Sequence, residues 1–433
     1  MKKILILLFP LVLYGFMISC STTPDFSETV VITDDPDPDP DPDPDPDPDP
    51  DPDPDPDPDP DPDTFPKLCD NNTAGIYSCA NYDLMGWMDT RTFGSSVGND
   101  CWGWTDPDTG VEYAIYGLDN GTVFVDISNP SAPVYVAKVT GSSSPSIWRD
   151  IKVYNNHAYI VSEASGHGMQ VYDMTQLKNI TSPPLTIDAD FVYNGFSSAH
   201  NIAINEESGF AYAIGTDTYS GGPHFIDLQN PSNPVAAGGY AGGGYSHDAQ
   251  IVNYSGPDPD YQGREIFIGS NESEVVIVDV SDKSNPVGIA TISYSNSSYT
   301  HQGWFTEDQK YFIVGDETDE LSFGNNTRTI IFDFTDLDNP VYHFDYIGTN
   351  ESIDHNGYVL GNTFYLASYT AGLRVLDISD IDNQFMEETG YFDLHTPNDS
   401  PEFNGAWSVY PYFSSGNIVI SDTESGLFIV KKQ

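Results

Sequence analysis

The chain has 433 residues, with 66 Asp and Glu against 15 Lys and Arg and a formal net charge of −51. Eighteen of the acidic residues, with Lys2 and Lys3, precede Thr64, so the remainder still carries 48 acids against 13 bases. That surplus repels polyphosphates and anionic bilayer faces and excludes nucleic acid as a partner. Aromatic residues at 13% and 37 glycines, with no helical periodicity past the N-terminus, fit many short strands joined by tight turns.

At the N-terminus, Lys2 and Lys3 precede an apolar run from Ile4 to Ile18 that is short for a bilayer span, and Met17-Ile18-Ser19-Cys20 follows. Residues 1–19 resemble a bacterial lipoprotein signal. The resemblance implies lipidation at Cys20 and export to the outer membrane, with display at the cell surface through the lipid anchor alone. Residues 20–63 read as a disordered tether in which Asp35 to Asp63 alternate Asp and Pro. Proline restricts φ and neighbouring carboxylates repel, so the tract should be an extended rod that reaches roughly 90 Å at ~3.1 Å per residue. Cys69 and Cys79 bracket a short loop in an exported chain and read as a local disulfide. Cys101 is left odd, and without a cationic neighbour in sequence it reads as a buried thiol.

From Thr64 onward one unit repeats. It is clearest as EVVIVDVSDKSNPV at Glu274, and recurs as GTVFVDISNPSAPV at Gly121, GMQVYDMTQL at Gly168, GPHFIDLQNPSNPV at Gly222, RTIIFDFTDLDNPV at Arg328, GLRVLDISDIDN at Gly372 and a decayed GLFIVKK at Gly426. Each copy is an alternating apolar strand followed by a turn. The strand-end residues Asp126, Asp173, Asp227, Asp279, Asp333, Asp377 and Lys431 stand 44 to 54 residues apart. A period near fifty built only of strands indicates four-stranded blades, and seven blades close a ring. The expected fold over residues 64–433 is therefore all-β, a seven-bladed β-propeller. The last blade has only three strands of its own, at 407–411, 416–422 and 426–432, so residues 82–89 (YDLMGWMD) are expected to supply the fourth and close the ring. Within a blade the strands are lettered A to D from the axis outward. In the second blade they read RDIKVYN from Arg149, HAYIVSEA, GMQVYDM and LTIDADF.

The starts of the A strands and the B-to-C loops should share one rim of the central channel. The A strands present Cys101, Arg149, His200, His247, His301, His355 and Gly405 there, followed by Trp102, Asp150, Asn201, Asp248, Gln302 and Asn356. The B-to-C loops bring Asp119, Glu163, Asp217, Glu272, Asp316, Glu317 and Asp422. Only nine histidines occur and four share one register, while His157, His167, His224, His343 and His395 fall outside it. Imidazole nitrogens flanked by carboxylates and amides suit a polar-ligand site or a divalent metal ion held by His200, His247, His301 and His355, with Arg149 as a fixed cation opposite. The same register also permits a structural role in which each His satisfies its own blade. TDPDTG at Thr105 and GPDPDYQG at Gly256 lack calcium-loop spacing and read as turns. HExxH, SxxK and phosphate-cradling glycine loops are absent from the sequence.

Several long runs, NDCWGWTDPDTGVEYAIYG, WRDIKVYNNHAYIVSEASGHGMQVYD, AHNIAINEESGFAYAIGT, SHDAQIVNY and THQGWFTEDQKYFIVGDE, together resemble the choice-of-anchor B family, whose members carry LVIVD-type repeats. The resemblance spans about Cys69 to Val430 and implies an exported, surface-anchored repeat protein without implying an activity. Cys101 stands where members carry Val. Two function classes follow: a binding or adhesion module for an unknown ligand or partner, and a metal-dependent hydrolase or lyase using Glu163, Glu272 or Glu317 as base.

Overall fold

The repeat turns where it does because of its aspartate. The Oδ1 atoms of Asp126, Asp227, Asp279, Asp333 and Asp377 each accept the backbone N–H two residues on at 2.7–2.9 Å, and Asp173 does so at 3.0 Å. An Asx turn of this kind ends strand C and redirects the chain into strand D. Where Lys431 replaces the aspartate, the strand runs on to Lys432. The glycine that opens strand C is set by close approach of the next strand. Gly372 has φ +72°, and a Cβ there would lie 2.2 Å from the Phe392 carbonyl oxygen; at Gly168, φ is +64° and the Tyr193 carbonyl would lie at 2.4 Å.

The computed structural model describes residues 64–433; the signal at 1–19, the lipidation site Cys20 and the Asp-Pro tether at 20–63 lie outside the described residues. Seven antiparallel blades form the propeller. Their innermost A strands are Gly98–Thr105, Arg149–Tyr154, Asn201–Asn205, Asp248–Asn253, Thr300–Phe305, Asp354–Leu360 and Ala406–Tyr410. The core is divided among the blade interfaces. Ile115 and Phe124 of the first blade pack with Ile151 and Ile160 of the second, and Ile266 and Ile277 of the fourth with Phe312 and Ile330 of the fifth. Each blade thus buries its apolar face against its neighbour, and none could do so alone.

The ring closes with strand Tyr82–Met88 paired antiparallel to Leu427–Lys432, from Tyr82 opposite Lys432 to Met88 opposite Leu427. Residues 82–88 and 427–432 therefore share the seventh blade, and the edge of the C-terminal strand is covered. Cys69 and Cys79 form the disulfide. The hairpin beside it, Thr73–Ala74 with Tyr77–Ala80, adds to the outer edge of the sixth blade through Cys79 opposite Phe392. Cys101 is a buried free thiol, and burial pushes its pKa up.

One strand assignment is corrected. Residues 185–191 do not form strand D of the second blade. Leu185–Ile187 instead runs parallel to Val134–Thr140 on the outer edge of the first blade, and Phe191–Tyr193 takes the D position. After Asp173 the chain has no Asn-Pro turn; a 3₁₀ helix, Met174–Asn179, follows, and Met174 and Leu177 sink into the cluster shared with the first blade. That burial draws the segment across the blade boundary.

Candidate functional site

Strand pairing decides which residues sit at the channel mouth. In the fifth blade Thr300 pairs Asp316 and Gln302 pairs Gly315, so His301 is the extra residue of a β-bulge. The seventh blade repeats this with Ala406 opposite Asp422 and Ser408 opposite Ser421, leaving Trp407 as the extra residue. In the first blade Gly98 pairs Leu118 and Cys101 pairs Tyr116, which puts Asn99 in the matching place. The residues in register with the histidines are therefore Asn99 and Trp407, not Cys101 and Gly405, because the bulge displaces the strand relative to its sequence alignment.

His200, His247, His301 and His355 come together at one mouth. Their rings follow one another with centroids 4.1, 4.4 and 4.2 Å apart, and His355 continues to Trp407 at 4.7 Å and Tyr369 at 4.8 Å. Three of the Nδ1 atoms are engaged: His200 donates to Glu163 Oε1 at 2.7 Å, His247 to the His301 carbonyl at 3.2 Å and His355 to the Trp407 carbonyl at 2.5 Å. In the neutral rings of His247 and His355 this leaves Nε2 as an acceptor. Burial, then the neighbouring imidazoles, holds His247 and His301 well below the ordinary imidazole range, and burial pushes His355 down to about 3. These three rings are neutral donors at neutral pH.

Glu317 reaches the same point. Its carboxylate lies 3.8 Å from His301 Nε2 and 3.5 Å from His355 Nε2, accepts the Tyr369 hydroxyl at 3.0 Å, and is pushed up to about 7 by burial. Above it opens a funnel of about 440 Å³, with Ile147, Trp148 and Phe403 on its walls. The last three are the exposed apolar residues of this mouth, at 44%, 42% and 53%.

The carboxylates expected from the B-to-C loops divide by position. Glu163 and Glu317 directly follow strands His157–Ser162 and Tyr311–Asp316, as Tyr369 follows Thr363–Ser368, and those three reach the imidazoles. Asp217 is exposed and accepts the Ser197 N–H; Glu272 is exposed, with φ +58°. Asp316 is buried and accepts the N–H groups of Ser298 and Tyr299, stapling its own loop. None of these three joins the cluster, because each lies off the single position after strand B that points at the axis. Tyr369 and Trp407 escaped sequence reading. The position after strand B would have located the first and the bulge register the second.

Arg149 is also placed differently. Its guanidinium is buried, donates to the Leu118 carbonyl at 3.0 Å and meets His167 Nε2 at 2.8 Å, so its charge is held between the first two blades and does not face the imidazoles. The channel below the mouth is lined by a polar ring: Asp100, Asp150, Asn201, Asp248, Gln302, Asn356 and Ser408, with Asp100 standing where alignment put Trp102. Lys152 bonds Asp150 at 2.7 Å and lies 3.5 Å from Asp100. Asn201 donates to Asp248, Gln302 bonds both backbone groups of Gly357, and Asn356 donates to Ser408. Burial pushes Asp248 up to about 7. These hydrogen bonds tie neighbouring blades together across the channel wall.

The LVIVD repeat family matches residues 112–140 and 263–292, each stretch covering strands B, C and D of one blade. The chain carries LVIVD repeats. No curated protein matches it. Among solved structures this LVIVD propeller is similar to the β-propeller domain of Cps50 (Swd1) from Myceliophteria thermophila, with TM-score 0.51 and 11% identity over 81% of this chain and 99% of that one. The C-terminal WD40 domain of Sif2 gives 0.49 and 9% over 80% and 99%. The first of these likenesses shows the fold of the LVIVD propeller and nothing of its ligand.

Proposed function

We propose that the chain is a surface-displayed lipoprotein whose propeller is a binding module, taking a ligand into the funnel at the histidine mouth. The observation that carries this reading is the convergence of four imidazoles, Glu163 and Glu317 beneath an exposed aromatic lip. A concave site with apolar walls and a few oriented polar groups is what a small-molecule or peptide-end ligand requires. The acidic body favours neutral or cationic ligands over anions. Lipidation at Cys20 and the Asp-Pro tether would hold the disc away from the membrane, and Cys20→Ser should release it from the membrane fraction.

The test is a ligand screen by thermal shift and Trp fluorescence on wild type and Trp407→Ala. Hits that lose binding in the variant support the funnel; hits that bind both equally refute it. A metal-dependent hydrolase or lyase is the second reading, favoured by the approach of Glu317 to two imidazoles. Turnover abolished by chelator would select it.

A further inference from the structure

We propose that His301, His355 and Glu317 form a binding site for one divalent first-row transition cation, with its open side toward the funnel. The inference rests on the reading of the funnel as a ligand site and adds what would anchor a ligand there. Four imidazoles cannot all reach one ion, since they follow one another around the mouth at successive spacings of 4.1 to 4.4 Å. Three donors do gather: one nitrogen from each of His301 and His355 and a carboxylate oxygen of Glu317 all lie within 4.8 Å of one another.

The edges of that triangle fit an ion. Glu317 Oε2 stands 3.8 Å from His301 Nε2 and Oε1 stands 3.5 Å from His355 Nε2, and a tetrahedral ion with bonds of ~2.0–2.1 Å sets donor separations of about 3.3 Å. Contracting each edge from at most 4.8 Å to about 3.3 Å would close the three donors on an ion. The supporting groups are those a metal site uses. His355 Nδ1 donates to the Trp407 carbonyl, which turns the Nε2 lone pair toward Glu317, and the Tyr369 hydroxyl fixes the carboxylate. His301 is 2% exposed, and its Nε2 is the ring nitrogen that lies toward Glu317. Two imidazoles and one carboxylate with an open position suit zinc-class or iron-class cations rather than calcium, which prefers six to eight oxygens. The free position is where a ligand's carbonyl, carboxylate or water would sit.

The test uses the purified full-length chain. Zn²⁺ titration by calorimetry, with Co²⁺ as a spectroscopic probe, should show one ion per chain and visible d–d bands of a low-symmetry site. Glu317→Gln, which keeps shape, should weaken Zn²⁺ by about tenfold or more and alter the Co²⁺ spectrum. His355→Ala should do the same, with near-ultraviolet circular dichroism to check its fold, and Asp217→Asn should leave both unchanged. Absence of binding, or equal affinity in Glu317→Gln and wild type, overturns the site, the latter placing the ion elsewhere on the acidic surface. A parallel ligand screen on chelator-treated protein separates the two readings. Organic ligands that bind without metal and are lost in Trp407→Ala, with no Zn²⁺ bound in the titration, keep the funnel while the cation site falls. Zn²⁺ bound as described with every such ligand absent keeps the site and overturns the funnel.

Discussion

Truncating Leu84 to Ala tests whether the first strand of the propeller holds the ring shut. Leu84 is 1% exposed and packs in one cluster with Tyr358, Ile418, Phe428 and Val430, so its isobutyl group bridges the sixth and seventh blades. Removing a buried leucine side chain costs about 2–5 kcal/mol, depending on how far the cavity collapses. Backbone pairing of Tyr82–Met88 with Leu427–Lys432 limits that collapse, which places the cost near the middle of the range, about 3 kcal/mol. In a body of this size the thermal midpoint should fall by roughly 4 °C. Calorimetry measures the shift, and hydrogen exchange at residues 427–432 should accelerate because the edge they protect is loosened. Leu68→Ala is the control: Leu68 is 61% exposed and its truncation should stay within about 0.5 kcal/mol. A Leu84→Ala midpoint within about 1 °C of wild type, with exchange at 427–432 unchanged, refutes the closure argument.

Three further outcomes are expected. His167 is buried and pushed down to about 4, first by burial and then by the Arg149 charge, so its neutral form belongs to the folded state. Its folded pKa lies below the unfolded value, and the stability it contributes is complete above about pH 6.5 and lost as pH falls through 4. The loss amounts to about 3 kcal/mol, and urea unfolding should show it in wild type relative to His167→Gln between pH 7 and 4. Cys101 should resist a thiol reagent in the native protein and react at once in denaturant; fast native labelling would contradict its burial. Replacing Cys69 and Cys79 together by Ser should lower stability by about 2.5 kcal/mol through loop entropy, and equal denaturation midpoints would show that the bridge constrains nothing.

The architecture was legible because the same local chemistry is written six times, with a decayed seventh copy at Gly426. Each aspartate that caps an amide two residues on marks a strand end, and the spacing of those ends counts the blades. The missing strand of the last blade likewise pointed to residues 82–89, since an unpaired strand edge must be covered. The gathering of His200, His247, His301 and His355 followed from their common register. What sequence spacing could not convey is how each strand is displaced where it turns into the channel. One bulge residue moves Asn99 and Trp407 into places that alignment assigned to Cys101 and Gly405, and a strand slipped by one position reverses every side chain. Only the tertiary structure decided that Glu317 and Tyr369 meet the imidazoles while Asp217, Glu272 and Asp316 do not. The same holds for Arg149, which spends its charge between blades, and for Leu185–Ile187, which joins the first blade because Met174 and Leu177 are buried against it. Repeated hydrogen bonds between near neighbours are local and survive in the sequence; the aim of a side chain at the axis depends on packing from blades some fifty residues away.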